Sequence, residues 1–413
     1  MAAAPPGSQA AQIDLESAYR QMPILPDHKP YLAIKTERGI YADHCDPFGL
    51  SSSAGILGAA VDAAVDIVKT CLSMEHLHKW VDDMIPTRVP VDAIASESGL
   101  LCATKTSGSQ EPASTPHEYA YDLKDILAIF DDLGFKIKDE KLKDFSFQCV
   151  YNGFAWDLEA KIVWLPVEKR EKYLEKILTF SNPGIKLNLY DVQVIQGTLA
   201  HVCFVYQEGR ARMPSINRFM RSFNDSPFSH QTVPEEMHLD LEWWSSMLSK
   251  VDHHRPLHIR PLEDPDIWVD ASGHWGIALV VGNQYQAWQY CPDWDTDGRH
   301  IGWAESVAIE LAVVFIAKAG FHDVHVLVHS DNTGAIGQFR RGCSKNPNMN
   351  ASIIRAEEIM GEHNISLFPD YVKSADNRAD AASRGVPEPN LKPLIPRLEL
   401  PAEIQHLFVH APA

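Results

Sequence analysis

The sequence has no Cys-x-x-Cys pair. Its seven cysteines, Cys45, Cys71, Cys102, Cys149, Cys203, Cys291 and Cys343, are odd in number and widely scattered. That pattern argues against a cysteine-ligated zinc site and a disulfide framework, and it fits a reducing compartment, cytoplasm or nucleus. A long apolar run is also missing. The most apolar helical stretch, 308–321, is interrupted by Glu310 and Lys318, so no membrane-spanning helix and no membrane partner is expected. The opening residues MAAAPPGSQAAQ lack the basic start and apolar core of a secretory signal. Positive charge is scarce: 37 Lys and Arg against 55 Asp and Glu give a net charge of −18. This excludes a generally basic nucleic-acid coat, but it allows local basic grooves and acids gathered around metal ions.

What is present suits two or three folded domains: 413 residues, 45% hydrophobic and 22% charged. The first half is organised around Trp80-Val81-Asp82-Asp83, an apolar segment ending in adjacent carboxylates, after which Met84 and Ile85 resume the apolar run. A strand–turn–strand explains it, with both acids at the tip and Trp80, Val81 and Ile85 buried in the flanks. Adjacent acids are common in solvated turns, and a site that holds them together usually holds a divalent cation as well. Asp14, in Ile13-Asp14-Leu15-Glu16-Ser17-Ala18-Tyr19, supplies a third carboxylate if it ends a neighbouring strand. Otherwise it caps a helix over 15–21. Three converging carboxylates can hold two Mg2+ ions about 4 Å apart, the arrangement for in-line attack at phosphorus.

In chain order, 31–36 and 39–44 read as a hairpin, and a small-residue turn at 47–54 opens a helix over 54–73. A Ser/Thr/Gly/Pro-rich stretch, 96–117, is expected to be a mobile surface loop. A helix over 117–133 ends at Gly134, and strands follow at 145–150, 154–156 and 161–165. Residues 166–262 read as mostly helical. They carry a basic patch, Arg210, Arg212, Arg218 and Arg221, which is either a solvated face or a seat for a phosphate backbone. Pro256, Pro261 and Pro265 mark a linker.

From 266 the pattern changes: strands at 267–270, 275–282 and 284–289, a helix over 304–318, a strand at 324–328, helices over 333–341 and 351–363, a strand at 365–371, and a helical segment, 375–383, carrying Asp380. That order makes an α/β (α+β) unit with a mixed sheet. It offers Asp270, Glu305, Asp331 and Asp380, and four carboxylates around two Mg2+ ions suit hydrolysis of a phosphodiester by an activated water. Glu305 otherwise reads as a first-turn helix acid, and Asp331 as an N-cap.

On these residues the first half resembles the palm of reverse transcriptases, with the motifs in family order. Asp14-Leu15-Glu16-Ser17-Ala18-Tyr19 is similar to the first motif, which implies a metal aspartate and an aromatic steric gate at Tyr19. Pro47-Phe48-Gly49-Leu50 is similar to the second, and it implies that Phe48 and Gly49 lie under the incoming nucleotide and template. This variant is nearest to long-terminal-repeat and tyrosine-recombinase (DIRS-like) retroelements. Trp80-Val81-Asp82-Asp83 is similar to the third motif, with tryptophan for the usual tyrosine or phenylalanine. Leu133-Gly134-Phe135 with Lys141 resembles the fourth, where a lysine protonates pyrophosphate, and Tyr151-Asn152-Gly153-Phe154 resembles the primer grip. Arg210 and Arg212 are the candidate backbone contacts.

The second half resembles a ribonuclease H domain through Trp268-Val269-Asp270-Ala271-Ser272, Ala304-Glu305, Ser330-Asp331-Asn332 and Asn377-Arg378-Ala379-Asp380-Ala381-Ala382-Ser383-Arg384. The loop before the last acid, Lys373-Ser374-Ala375-Asp376, lacks the histidine of cellular ribonuclease H enzymes.

The resemblance implies an RNA-directed DNA polymerase with a ribonuclease H endonuclease, of retrotransposon origin; the alternatives are ribonuclease H activity alone with an inactive polymerase, or a non-catalytic nucleic-acid-binding relic. Its cofactor would be Mg2+, two ions per site, with Mn2+ as the alternative. Its partners would be an RNA template, a DNA primer, deoxynucleoside triphosphates and an RNA–DNA hybrid. The expected layout is a palm over 1–165, a helical thumb and connection over 166–262, a ribonuclease H-like domain over 263–388 and a tail over 389–413. Only residues 1–13 precede Asp14, so the fingers are expected to be truncated. No protease, integrase or recombinase is recognisable, and the chain is expected to be the middle of a polyprotein or a truncated copy.

Overall fold

The computed structural model describes residues 1–93, 117–182, 184–224, 226, 228–258 and 260–410. The expected mobile loop, 96–117, lies outside them except for His117. The chain divides into two compact units, Met1–Pro166 with His253–Ile259, and Val167–Asp252 with Arg260–Ala413. Among the described residues no helix is long and apolar enough to cross a membrane.

In the first unit, strand β1 (Gln9–Asp14) lies between β5 (Asp83–Arg88) and β6 (Lys143–Ser146), with β4 (Leu77–Trp80) on the far side of β5. All three pairings are antiparallel. Helices α1 (Ser53–Leu72) and α2 (Leu123–Asp132) cover one face. The buried apolar residues of α1 are Leu57, Val61, Ala64, Val65 and Val68, a stripe at helical spacing. They pack with Ile13, Leu77 and Met84 of the sheet and with Ile126 and Phe130 of α2. The start of α2 is fixed by a reciprocal capping box between Asp122 and Asp125.

Ala10 and Ile85, from the same sheet, join Cys149 and Leu158 in a second small core. Beside it runs a sheet of β7 (Gln148–Tyr151), β8 (Phe154–Asp157) and β9 (Ile162–Trp164). Arg255–Pro256 pairs with β9, so part of the expected linker is a sheet edge. The hairpin of β2 (Ala33–Thr36) and β3 (Gly39–Ala42) is wholly exposed. One expectation is corrected here. Ile85 is buried, but Trp80 is 66% exposed and Val81 36%. Strand β4 is the edge of its sheet; Trp80 is its last residue and Val81 follows in the link to β5.

The second unit begins with α3 (Val167–Phe180), α4 (Leu189–Val202), α5 (Met213–Ser222) and α6 (Glu235–Ser249). Trp244 of α6 is fully buried and packs so closely on Gly209 that a β-carbon there would meet its ring at 2.1 Å. A mixed sheet follows. Strands β10 (Ile267–Ala271), β11 (Gly276–Val281) and β12 (Gln284–Tyr290) form an antiparallel meander. Strand β13 (His325–Ser330) runs parallel beside β10, and β14 (Ser366–Tyr371) parallel beside β13. The order across the sheet is therefore β12-β11-β10-β13-β14.

Helix α7 (Ile301–Lys318) is buried at every position from Trp303 to Val313. Such a helix is core on all sides rather than amphipathic. One of its two buried acids, Glu310, is fully buried but satisfied: Arg355 of α9 (Pro347–His363) donates to both carboxylate oxygens at 2.6 and 2.7 Å, and Ser352 donates at 2.6 Å. Helix α8 (Thr333–Arg341) is capped by Asn332, whose side chain accepts from the Ala335 amide at 3.0 Å. The segment expected as a tail completes this unit. Lys392–Pro393 and Phe408–His410 pair with β12, and Leu394, Leu398, Leu400, Ile404 and Leu407 are buried in the main core.

Gly276 tests the meander. A β-carbon there would lie 2.0 Å from the Trp288 carbonyl oxygen, whereas one on Gly273 meets nothing within 4 Å. Gly276→Ala should cost about 1–3 kcal/mol or more, seen as a lowered Tm in thermal unfolding, and Gly273→Ala should leave Tm nearly unchanged.

Candidate metal centre and a second acidic site

Asp270 is the penultimate residue of β10 and Asp331 follows the last residue of the parallel β13, so two neighbouring strands deliver carboxylates to the same edge. Glu305 comes from α7, which begins at Ile301 rather than at 304 as expected. It therefore lies one turn inside the helix, not in the first turn. Each of the three offers a carboxylate oxygen within 4.8 Å of the others, and among the described residues they are the one such group of three or more. Asp331 is not a cap, because Asn332 does that work.

Asp270 and Glu305 are each 4% exposed. Burial first, and then the Asp270 and Asp331 charges, push the Glu305 carboxyl up to about 9, opposed by the Asn332 side chain. Burial likewise pushes Asp270 up to about 6; a hydrogen bond from Ser383 opposes this, and the Asp331 and Asp380 charges add to it. Among the described residues nothing donates to the buried Oε2 of Glu305. A buried carboxylate oxygen without a donor is costly. Three hard oxygen donors, two of them buried and one with a bare oxygen, fit a hard divalent cation.

Two residues not assigned a role from the sequence brace this group. Asn377 is buried, and its side-chain amide donates to Val269 O at 3.0 Å, Asp270 Oδ1 at 3.3 Å and Asp331 Oδ1 at 3.4 Å. Ser383 Oγ donates to Asp270 Oδ2 at 2.5 Å. Both lie in the segment already singled out around Asp380; the signal was present without its meaning. Asp380 itself is not in the group of three. Its carboxylate is held by Arg384, Nε to Oδ2 at 3.0 Å and Nη2 to Oδ1 at 2.8 Å.

In the first unit Asp14 ends β1 and is the direct cross-strand partner of Asp83. Opposed residues on antiparallel strands share a face, their β-carbons about 4.5–5.5 Å apart. Asp14 is a buried strand end, not a helix cap. Its Oδ2 accepts from Lys141 Nζ, and its carbonyl accepts from the Lys138 amide at 2.8 Å. Burial first, then the Asp14 and Asp82 charges, raise the Asp83 carboxyl, while Lys141 opposes. Val81 takes φ +57° in the two-residue link between the paired Trp80 and Asp83. A β-branched residue there is strained, by about 1–3 kcal/mol. Asp82 is in that same link, and the three acids do not converge as closely as the group in the second unit.

Tyr19 packs edge-on against Phe48, ring centroids 4.6 Å apart, while Phe48 itself is 78% exposed. Gly49 follows at φ +94°. Arg210 faces Glu357, whose carboxyl is pushed up to about 7 by burial first and then by Glu208, with Arg210 opposing. Arg212 is held by Asp240 at 3.3 Å and Glu358 at 2.6 Å, and it stacks over Trp243.

The raised acids fix a sign. A carboxyl with a raised folded pKa costs the metal-free protein stability as pH rises from the ordinary carboxylate range, and a cation requires the deprotonated form. Tm without metal should therefore fall between pH 6 and 9, and the Tm increment given by Mn2+ should grow over the same interval. Glu305→Gln should flatten both trends; an increment independent of pH would contradict the assignment.

No protein-family model matches the sequence. No curated protein matches it either. Among solved structures the chain is similar to foamy viral protease-reverse transcriptase. With the dRH form in complex with double-stranded DNA, identity is 14%, coverage 90% of this chain and 58% of that one, and TM-score 0.46. With the complex holding an RNA/DNA hybrid, identity is 15%, coverage 96% and 47%, and TM-score 0.45. With a further double-stranded DNA complex, identity is 14%, coverage 88% and 68%, and TM-score 0.43. The chain spans about half the length of the first two structures it matches.

Proposed function

We propose that the second unit is a ribonuclease H-type hydrolase that cuts the RNA strand of RNA–DNA hybrids. The observation that carries this reading is the convergence of Asp270, Glu305 and Asp331 at one end of a mixed sheet, with a buried Glu305 oxygen left unbonded among the described residues. These carboxylates would hold Mg2+ or Mn2+. When bound, the ion supplies positive charge that acidifies a water and offsets the charge growing on the phosphate. Asn377 and Ser383 orient the carboxylates, so little rearrangement is needed as substrate arrives. Asp380, with Arg384 across it, stands next to the group and contributes negative charge to it.

A second reading concerns the first unit: the palm of a retroelement RNA-directed DNA polymerase. What favours it is the register that opposes Asp14 and Asp83, with Lys141 on Asp14. Asp14, Asp82 and Asp83 would hold the ions of nucleotidyl transfer. Lys141, its proton held more firmly by the Asp14 hydrogen bond, would donate to pyrophosphate. Tyr19, braced by Phe48, would exclude a ribose 2′-hydroxyl and select deoxynucleoside triphosphates. An RNA template and a DNA primer complete this reading.

Each reading has its own assay. With Mg2+ the protein should cleave the RNA of a labelled hybrid. Asp331→Asn should slow cleavage about 100-fold or more, since losing even a supporting partner of a metal ligand costs about 10–100-fold; equal cleavage by the variant would reject the site. Primer extension on an RNA template should be seen with the wild type and lost in Asp83→Asn, and a wild type that extends no primer would reject the palm reading.

A further inference from the structure

In a chain of net charge −18, one groove of the second unit is lined, among the described residues, by four cations and no carboxylate. It has a volume of about 710 Å3, and its walls include Arg218 and Arg221 of α5, Arg341 at the end of α8, and Lys345 in the loop to α9. Arg221, Arg341 and Lys345 are exposed and make no side-chain ion pair with any described residue. Arg218 is braced by Glu236, with Nε to Oε1 at 3.0 Å and Nη2 to Oε2 at 2.7 Å. Its remaining nitrogen, Nη1, is buried with no partner among the described residues, and so is Gln338 Oε1 on the same wall. Arg218 Nη1, a buried donor without an acceptor at a cationic groove, points to a ligand that accepts from it, as a phosphate oxygen does.

The loop is held in place before any ligand arrives. Asn350 Oδ1 accepts from the Ser344 amide at 2.9 Å while its Nδ2 donates to Ala211 O at 2.7 Å, and Asn346 caps α9. Helix α8 connects the groove to the carboxylate group. Asp331 and its neighbour Asn332 lie at the helix N-terminal end, Gln338 and Arg341 near its C-terminal end. Nine helical residues span about 13 Å, which is about four phosphate steps of a nucleic-acid strand.

We propose that this groove binds the phosphodiester backbone of the nucleic acid a few nucleotides from the cleavage point, and that Arg341 and Lys345 are its positioning residues. The proposal rests on the hydrolase reading for what lies at the other end of α8. It also relocates the backbone contacts expected at Arg210 and Arg212, because Arg212 is already bonded to two acids and Arg210 faces another.

The test is fluorescence anisotropy with a labelled RNA–DNA hybrid on the full chain carrying Asp331→Asn, so that binding is read without cleavage. Arg341→Ala and Lys345→Ala should each raise Kd about 5–10-fold near 0.1 M salt, and each should lower the slope of log affinity against log salt by about 1. Lys318→Ala, an exposed lysine outside the groove, should change neither. Unchanged Kd and slope in both groove variants would overturn the proposal, and so would an equal loss in Lys318→Ala. Neither result touches the hydrolase reading, which stands or falls on cleavage by the wild type. In the cleaving background the groove variants should raise KM while keeping kcat; a fall in kcat alone would also overturn the positioning role.

Discussion

The constraint on which the second unit depends is the repulsion between carboxylates placed where water cannot screen them. Asp270 and Glu305 are buried with Asp331 beside them, and one Glu305 oxygen has no donor among the described residues. A folded chain tolerates this in two ways: it keeps protons on the acids, or it places a cation among them. The raised carboxyl of Glu305 is the metal-free form of that choice. Glu310, one turn further along the same helix, shows the contrast. It is buried as deeply, but Arg355 and Ser352 satisfy it, so it needs no ion.

The fold holds the acids against their repulsion through rigid attachments. Two parallel strands supply Asp270 and Asp331, a helix buried on all sides supplies Glu305, and Asn377 and Ser383 tie the ends of the first two. The first unit handles like charge differently. Asp14 and Asp83 oppose each other at the end of a sheet, and Lys141 lies directly on Asp14. The cation there is a side chain already in place, so that pair is less dependent on an ion for its stability.

Much of this was legible in the sequence because the chemistry demands particular residue types at element ends. Asp14, Asp270 and Asp331 stand at or just past the end of apolar strands, whereas Glu305 had only its place early in an apolar helix to mark it. The mixed sheet followed from the order of strands and helices. What was not legible depended on partners distant in the chain. The exposure of Trp80 follows from the edge position of its strand, which no local pattern encodes. Residues 389–413 are expected as a tail, yet Leu394, Leu398, Leu400, Ile404 and Leu407 are buried in the main core. Arg212 looked available for phosphate, but Glu358 lies far along the chain and only the fold brings it within 2.6 Å. The pairing of Asp380 with Arg384 has a local signal, the i,i+4 spacing.

The central claim is that the carboxylates of the second unit are arranged for a cation. The most direct measurement is a crystal structure of the protein soaked in Mn2+, with data collected for anomalous scattering. The account predicts an anomalous peak within bonding distance of carboxylate oxygens from Asp270, Glu305 and Asp331, with Glu305 Oε2 turned toward it. A well-ordered triad with no peak at millimolar Mn2+ and pH near 8, and with Glu305 hydrogen-bonded to a neighbouring acid instead, would contradict it.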